Sequence, residues 1–433
     1  MSRIADVNPI RLHNMRAWSP EVRQQGTVEQ FAWYLADALG TAQVVSVNHT
    51  AKSPPDVTNA VSLWKAPHLE ATPTIASGAA AVVACPLTPQ TPDPQALQRA
   101  LGSAGVTPAF VGHAVGGQAR DEPSHIVGVI SHAGLPSRES STSGFRVVAF
   151  VPTYNEEDII DHTLRYLIGQ GIEVYVIDNW SSDGTYERSR EYLGRGVIGI
   201  ERFPPERPLA TYEWRLILGR VEELAAAIPA DWFMLHDADE RRSPPWPDTT
   251  LPEGLQHAER CGFNCVDHVV LNFWPTDDRP MDPSHDVEAQ LRYFEFSDHL
   301  GHFHQRKAWK RTPFPVSLAA SAGHDVAFPG RLVYPFKFLI KHYPIRSEAH
   351  GRRKVLRDRI NRWSPRERAF GWHQQYDQLV DRPSFVRDAL TLERFDEATF
   401  LEKHVIPRLS GIGVFPCAPD WATGPRETFA APR

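Results

Sequence analysis

Four short apolar runs set the frame for this chain: Val147–Val151, Val174–Ile177, Val197–Ile200 and Trp232–Leu235. None alternates apolar with polar residues, which is the pattern of strands buried on both faces. Between them lie stretches with helical spacing. Asn155 reads as an N-cap, with Glu156, Glu157 and Asp158 in the first turn where negative charge suits the helix dipole. Ile159, Ile160, Leu164, Leu167 and Ile168 then supply the apolar face. Helices are also expected over Gly184–Leu193 and Leu209–Ala227. Strands separated by helices require right-handed crossovers and a mainly parallel sheet, so the fold class is α/β.

This frame fills only part of the 433 residues, a length that suits two or three domains. Residues up to 144 are rich in Ala, Val, Pro, Thr and Gly; helices are expected over Thr27–Leu39 and Gln95–Gly102, and a strand over Ala80–Cys85. The polar cluster Ser137–Gly144 has the character of a linker. The expected division is therefore an N-terminal region over 1–144, a central domain over 145–346 and a helical, irregular C-terminal extension over 347–433. A formal charge of −6 provides no global attraction for nucleic acid or anionic lipid. No stretch approaches the 18 apolar residues of a membrane span, and the N-terminus lacks the apolar core of a signal peptide. With only four cysteines, a disulfide framework is excluded and a reducing, cytoplasmic setting is expected. Cys261 and Cys265 lack a second pair at zinc spacing and read as buried thiols.

In open α/β sheets, ligands collect beyond the carboxyl ends of the strands. Three polar clusters stand there: Pro152–Glu156, Asp178–Thr185 and His236–Glu240. Asp237-Ala238-Asp239 places two carboxylates one residue apart at a strand end, where they can hold a hard divalent cation through oxygen. A lone triplet of this kind more often caps a loop, and its company gives it weight. Asp178 can accept hydrogen bonds from a nucleobase or ribose, whereas Asp183-Gly184 suits a capped turn into the next helix.

In order and spacing, Pro152-Thr153-Tyr154-Asn155-Glu156-Glu157, Asp178–Thr185 and Leu235–Glu240 resemble the family 2 glycosyltransferases with a GT-A fold, over about residues 145–345. The resemblance implies that Pro152, Thr153, Tyr154, Glu156, Asp178 and Asp183 line the nucleotide of a sugar donor. It also implies that Asp237 and Asp239 hold Mn²⁺ or Mg²⁺ on the donor diphosphate. Gly323-His324-Asp325 and Lys341–Ser347 resemble a branch in which a late histidine returns to the metal, here His342, delivered by a strand over Phe338–Ile340. Family 2 members invert the anomeric centre, so a single displacement is implied. Asp325 is the expected base for the acceptor hydroxyl, with Asp267, Glu295 and Asp298 as competitors.

Charge offers an independent reading. Residues 231–300 hold 5 Lys/Arg against 15 Asp/Glu, whereas residues 301–370 hold 16 against 4. A site that grips a cation and a diphosphate needs both signs close together. Lys310, Arg346 and Arg352 are candidate phosphate contacts, while the run from Arg352 to Arg359 otherwise reads as a solvated basic helix. Trp274–Asp286 has the composition of a mobile loop, and Trp363, Phe370, Trp372 and Tyr376 form either packing or a sugar platform.

The expectation is a metal-dependent inverting glycosyltransferase that moves a sugar from a UDP-, GDP- or TDP-sugar to an acceptor hydroxyl, with no nucleic-acid partner and no membrane span. A nucleotidyltransferase would carry a glycine-rich basic loop after the first strand, which Pro152–Glu157 is not. A non-catalytic carbohydrate- or partner-binding module is opposed by the presence of both Asp237 and Asp239.

Overall fold

The computed structural model describes residues 144–396, apart from 245–248, 261, 283, 298–304, 374–376 and 381, together with residue 99 and strands at 44–47, 61–65, 80–86, 110–115, 123–131 and 414–416. The strands before residue 144 are β1 (Val44–Val47), β2 (Val61–Lys65), β3 (Ala80–Pro86), β4 (Phe110–Val115) and β5 (Pro123–Ser131). With β16 (Val414–Pro416) they form one sheet in the order β1-β2-β3-β5-β4-β16. Its first three strands are parallel and the rest antiparallel. The expected strand at Ala80–Cys85 is thus present. The helix expected over Thr27–Leu39 lies outside the described residues, as does that over Gln95–Gly102 apart from Arg99.

The second sheet has ten strands. Its parallel half is β6 (Val147–Thr153), β7 (Glu173–Asp178), β8 (Val197–Arg202) and β9 (Trp232–Leu235), ordered β9-β6-β7-β8. Helices α1 (Ile160–Gly169), α2 (Thr185–Arg190) and α3 (Trp214–Ala227) make the crossovers. The other half is mixed: β13 (Ala308–Lys310) runs antiparallel to β9 and to β11 (Cys265–Trp274), and β14 (Val333–His342) runs parallel to β11. β10 (Glu240–Ser243) closes the edge against β14, while β12 (Tyr293–Phe296) joins β11 to β15 (Glu393–Arg394). The architecture is α/β, with the parallel strands where the apolar runs placed them.

Why those runs lack alternation is visible in the core. Val147, Ala149 and Val151 face one layer, with Ile160, Leu164 and Leu167 of α1 and Leu251 and Leu255 of α4 (Leu251–Arg260). Val148 and Phe150 face the other, with Ile217, Leu218 and Val221 of α3. Each residue from Val147 to Val151 has an apolar partner layer, so neither face tolerates a polar side chain over that run. Cys265 packs in this core, and burial pushes its thiol up to about 12; Cys261 lies outside the described residues.

One local expectation is corrected. α1 begins at Ile160, and Asn155 does not cap it. Asn155 adopts φ 56°, in the left-handed region that asparagine tolerates better than most residues. Its Oδ1 accepts from Ser182 N at 2.8 Å. The three acidic residues after it are therefore released from the helix and become partners in ion pairs.

Beyond β14, α6 (Glu348–Gly351), which follows the short α5 (Val287–Gln290), leads directly into a π-helical turn at Arg352–Arg359 and a 3₁₀ turn at Ile360–Arg362. Gly351 is closely packed in this stretch: a Cβ there would collide with the ring of buried Phe385. Gly351→Ala should destabilise the protein by about 1–3 kcal/mol, the usual cost of overpacking. Gly219→Ala, in α3 with nothing within 4 Å of the added Cβ, should leave the melting temperature unchanged or raise it. Thermal denaturation of the two variants side by side checks the contrast.

Candidate active site

The strand register brings the polar clusters together. Thr153 pairs with Asp178 across β6 and β7. Asn272, His342 and Glu240 form a row across β11, β14 and β10. Between these two edges lies a cavity of about 640 Å³.

The first two loops are laced to each other before they meet any ligand. Asn155 N donates to Ser181 Oγ at 3.0 Å, Glu156 N to Thr185 Oγ1 at 2.8 Å, and Glu157 N to Asp183 Oδ2 at 3.2 Å. Asp178 is fully buried; it accepts from Thr153 Oγ1 at 3.2 Å and Ser181 N at 3.0 Å. Burial pushes its pKa up against those bonds. Asp183 accepts from Thr185 N at 3.0 Å, capping the turn into α2. Pro152, Thr153, Tyr154 and Glu156 line the cavity, whereas Asp178 and Asp183 are absent from its lining and build the loops behind it. Arg362 lies over the Tyr154 ring, 4.0 Å from its centroid.

Asp237, Asp239 and His342 all line the cavity. Each aspartate carries a buried lysine: Asp237 Oδ2 is 2.7 Å from Lys307 Nζ, and Asp239 Oδ2 is 2.7 Å from Lys354 Nζ. Lys354 also reaches Glu156 Oε1 at 3.1 Å. Burial alone would raise the Asp239 pKa, but Lys354 and Arg346 outweigh it and hold the carboxyl well below its ordinary value. Burial likewise opposes the charge on Lys307, yet Asp237 and Glu240 keep its pKa raised.

His342 Nδ1 lies 2.8 Å from Asn272 Oδ1, and its Nε2 stands 3.7 Å from Asp239 Oδ1; a neutral ring that donates from Nδ1 to Asn272 presents its Nε2 lone pair to that carboxylate. Two ligands of one hard cation with bonds of about 2.1 Å stand about 3–4 Å apart. The donor set therefore fits a divalent ion of the Mn²⁺ kind, with carboxylate oxygens and one neutral imidazole. A second trio, Glu156, Asp158 and His350, also lies close enough to hold an ion. Its carboxylates are already engaged by the Arg346 guanidinium, at 2.6 Å from Glu156 and 2.7 Å from Asp158.

Other expected residues fall elsewhere. Asp325 is ion-paired with Arg306 at 3.3 Å and Arg331 at 2.5 Å, and only its neighbour His324 lines the cavity. Glu295 does line it, held by Arg387 at 3.1 Å. Asp267 is buried against Lys337 at 3.0 Å, and Asp298 lies outside the described residues. Arg346 is buried in its carboxylate pairs, Lys310 pairs with Glu259 at 2.9 Å, and Arg352 pairs with Glu348 at 2.7 Å. Lys354 overturns the solvated-helix reading of its segment, since it is 4% exposed. Trp363 stacks on His373 with ring centroids 4.3 Å apart, and both line the cavity with Trp372. Lys307, Lys354 and Asn272 were missed because an isolated lysine or asparagine carries no motif; the opposed charge of the two segments was their only sequence signal.

Residues 148–311 match the family model for glycosyl transferase family 2. The matched stretch runs from β6 to β13 and includes the first two loops and the Asp237-Ala238-Asp239 triplet. No curated protein sequence matches the chain. Among solved structures, it is similar to TarS of S. aureus at 18% identity and TM-score 0.22, covering 32% of this chain and 23% of that one. TarS 1–349 in complex with UDP-GlcNAc gives 18% identity and TM-score 0.21, with 32% and 37% covered. The mannosyltransferase PcManGT from Pyrobaculum calidifontis, in complex with GDP-Man and Mn²⁺, gives 16% identity and TM-score 0.28, with 62% and 73% covered. The matched part of this chain spans less than two-fifths of the length of these TarS chains.

The Arg346 pairs yield a stability prediction. Asp158 has its pKa lowered in the fold: burial opposes the charge, but Arg346 outweighs it. Its stabilisation is therefore complete above the unfolded carboxyl value of about 3.9 and is lost as pH falls through the lower folded value. Asp158→Asn should cost about 3 kcal/mol at pH 7 by leaving buried Arg346 short of a partner. The gap between wild type and variant should narrow as pH falls below about 4. Urea denaturation of both proteins across pH 3–7 measures it.

Proposed function

We propose that the chain is a metal-dependent, inverting glycosyltransferase that moves a sugar from a nucleoside-diphosphate donor to an acceptor hydroxyl. The observation that carries this reading is the approach of Asp239 Oδ1 and His342 Nε2 to 3.7 Å, with Asp237 lining the same cavity, at the carboxyl end of the sheet. With the ring neutral and Nδ1 bonded to Asn272, a carboxylate oxygen and an imidazole nitrogen at this separation can share one cation. Asp239 and His342, with Asp237 beside them, would hold Mn²⁺ or Mg²⁺. Such an ion offsets the charge that builds on a departing diphosphate, an effect worth several kcal/mol in general.

The chain's own residues do the rest. Pro152, Thr153 and Tyr154 flank the nucleotide, Glu156 stands beside them, and Asp178 and Asp183 keep that loop in shape. Asn272 fixes the His342 tautomer. An inverting displacement needs a base on the face of the sugar opposite the diphosphate. Asp325, turned to Arg306 and Arg331, is less suited to this than Glu295, which lines the cavity from β12. Trp274 also lines that side and can give an acceptor sugar an aromatic face. We take residues 145–346 as the transfer domain, with residues from the extension after it completing the cavity. No helix of the described residues is long and apolar enough to cross a membrane.

Calorimetry with UDP-, GDP- and TDP-sugars, with and without Mn²⁺, tests the reading directly. One donor should bind and turn over only with metal. Asp237→Asn and Asp239→Asn should each lower that turnover about a hundredfold or more; asparagine keeps the shape around Lys307 and Lys354. Full activity in either variant would remove the metal role, and binding without turnover under all conditions would favour a non-catalytic module.

For the base, Glu295→Gln should reduce kcat by about 10²–10⁴ with donor affinity kept, and Asp325→Asn should reduce it far less. The reverse ranking restores Asp325. Single-turnover rates at saturating donor distinguish the two.

A further inference from the structure

We infer that the π-helical turn Arg352–Arg359 is a diphosphate clamp, presenting Lys354 and Arg359 together to the phosphates of the donor. The inference rests on the donor-site reading above and adds to it the residues that bind the diphosphate. An α-helix turns about 100° per residue, so positions five apart point about 140° away from each other. In the π register the hydrogen bond spans five residues, and such positions come round to the same side of the turn. The register is set by the backbone: the N–H of Ile360 donates to the carbonyl of Val355. Lys354 and Arg359 are five apart, and both line the cavity.

Both also converge on the same carboxylate. Glu156 Oε1 lies 3.1 Å from Lys354 Nζ and 3.8 Å from Arg359 Nη2. Lys354 spans Glu156 and Asp239, and Arg359 stands over Tyr154 at 5.6 Å from its ring centroid. Lys354 therefore sits between the first loop and the acidic doublet, with Arg359 beside it at the first loop, along the stretch a nucleoside diphosphate must cross to run from one to the other. Phosphate oxygens offer the same negative charge as the carboxylates that now hold these groups. Lys354 thus has two roles: counter-ion of Asp239 while the site is empty of donor, and phosphate ligand when a donor enters. π-Turns are rare and recur at functional sites, in keeping with a register kept for the sake of two side chains.

The test compares UDP with UMP, and GDP with GMP, by calorimetry on the full chain, together with Mn²⁺ alone followed by electron paramagnetic resonance. Wild type should prefer one nucleoside diphosphate over its monophosphate. Lys354→Met and Arg359→Met should each cut that preference at least tenfold while monophosphate affinity holds. Lys354→Met should in addition tighten Mn²⁺ binding without nucleotide, because the ammonium no longer competes for Asp239; Lys354→Arg should restore part of the diphosphate preference. Should Lys354→Met not fold, Arg359→Met alone decides, as its carboxylate contact is the longer one. An unchanged diphosphate preference in the folded variants overturns the clamp and leaves the donor site standing. Failure of wild type to bind any of the four nucleotides overturns the donor site itself.

Discussion

The Lys354 ammonium, lodged between Asp239 and Glu156, is the contact on which the rest of the site depends. Asp239 sits at the end of an apolar strand, and a carboxylate in such a place would take up a proton unless a cation stood beside it. With Lys354 at 2.7 Å it stays charged. The same ammonium ties the segment after β14 to the loop after β6, so one ion pair joins parts of the chain 198 residues apart (354 − 156). Ion pairs in an interior are poor sources of stability but exact a large penalty when one partner is removed. They therefore fix which charged groups face one another more firmly than they hold the fold.

This explains the charge segregation along the chain. The acidic segment, residues 231–300, and the basic one, residues 301–370, are stitched across the sheet by Lys307 to Asp237, Lys341 to Glu288, Lys337 to Asp267 and Lys310 to Glu259. Each half alone would repel itself; side by side on β10 to β14 they neutralise one another. The cavity is lined by Asp237 with Lys307 and by Asp239 with Lys354, so both signs of charge face it.

Much of the parallel half of the sheet was legible because burial on two faces forbids polar residues: Trp232–Leu235 ends where expected, and the strands at Val147, Val174 and Val197 extend only a few residues beyond their apolar runs. The loops were legible in composition but not in conformation. Asn155 has the chemistry of an N-cap, yet its carboxamide bonds to the neighbouring loop, a tertiary contact that local spacing does not encode. The motif residues then divided: Pro152, Thr153, Tyr154 and Glu156 reach the cavity, while Asp178 stands behind it and accepts from Thr153. Likewise His324 faces the cavity and Asp325 the arginines behind it. A one-residue difference in direction decides a role, and a sequence without coordinates does not fix direction in irregular segments.

The least legible feature was the register of Arg352–Arg359. Read with a period of 3.6, Lys354 and Arg359 diverge, and a segment so basic looks like a solvated face. Read with the five-residue hydrogen bond it adopts, the same residues share one side, and Leu356 and Arg357 take the exposed one. The carboxylates these side chains meet, Glu156 and Asp239, stand on the loops after β6 and β9. Their contacts are tertiary, which is why the burial of Lys354 is not written in the local spacing of this turn.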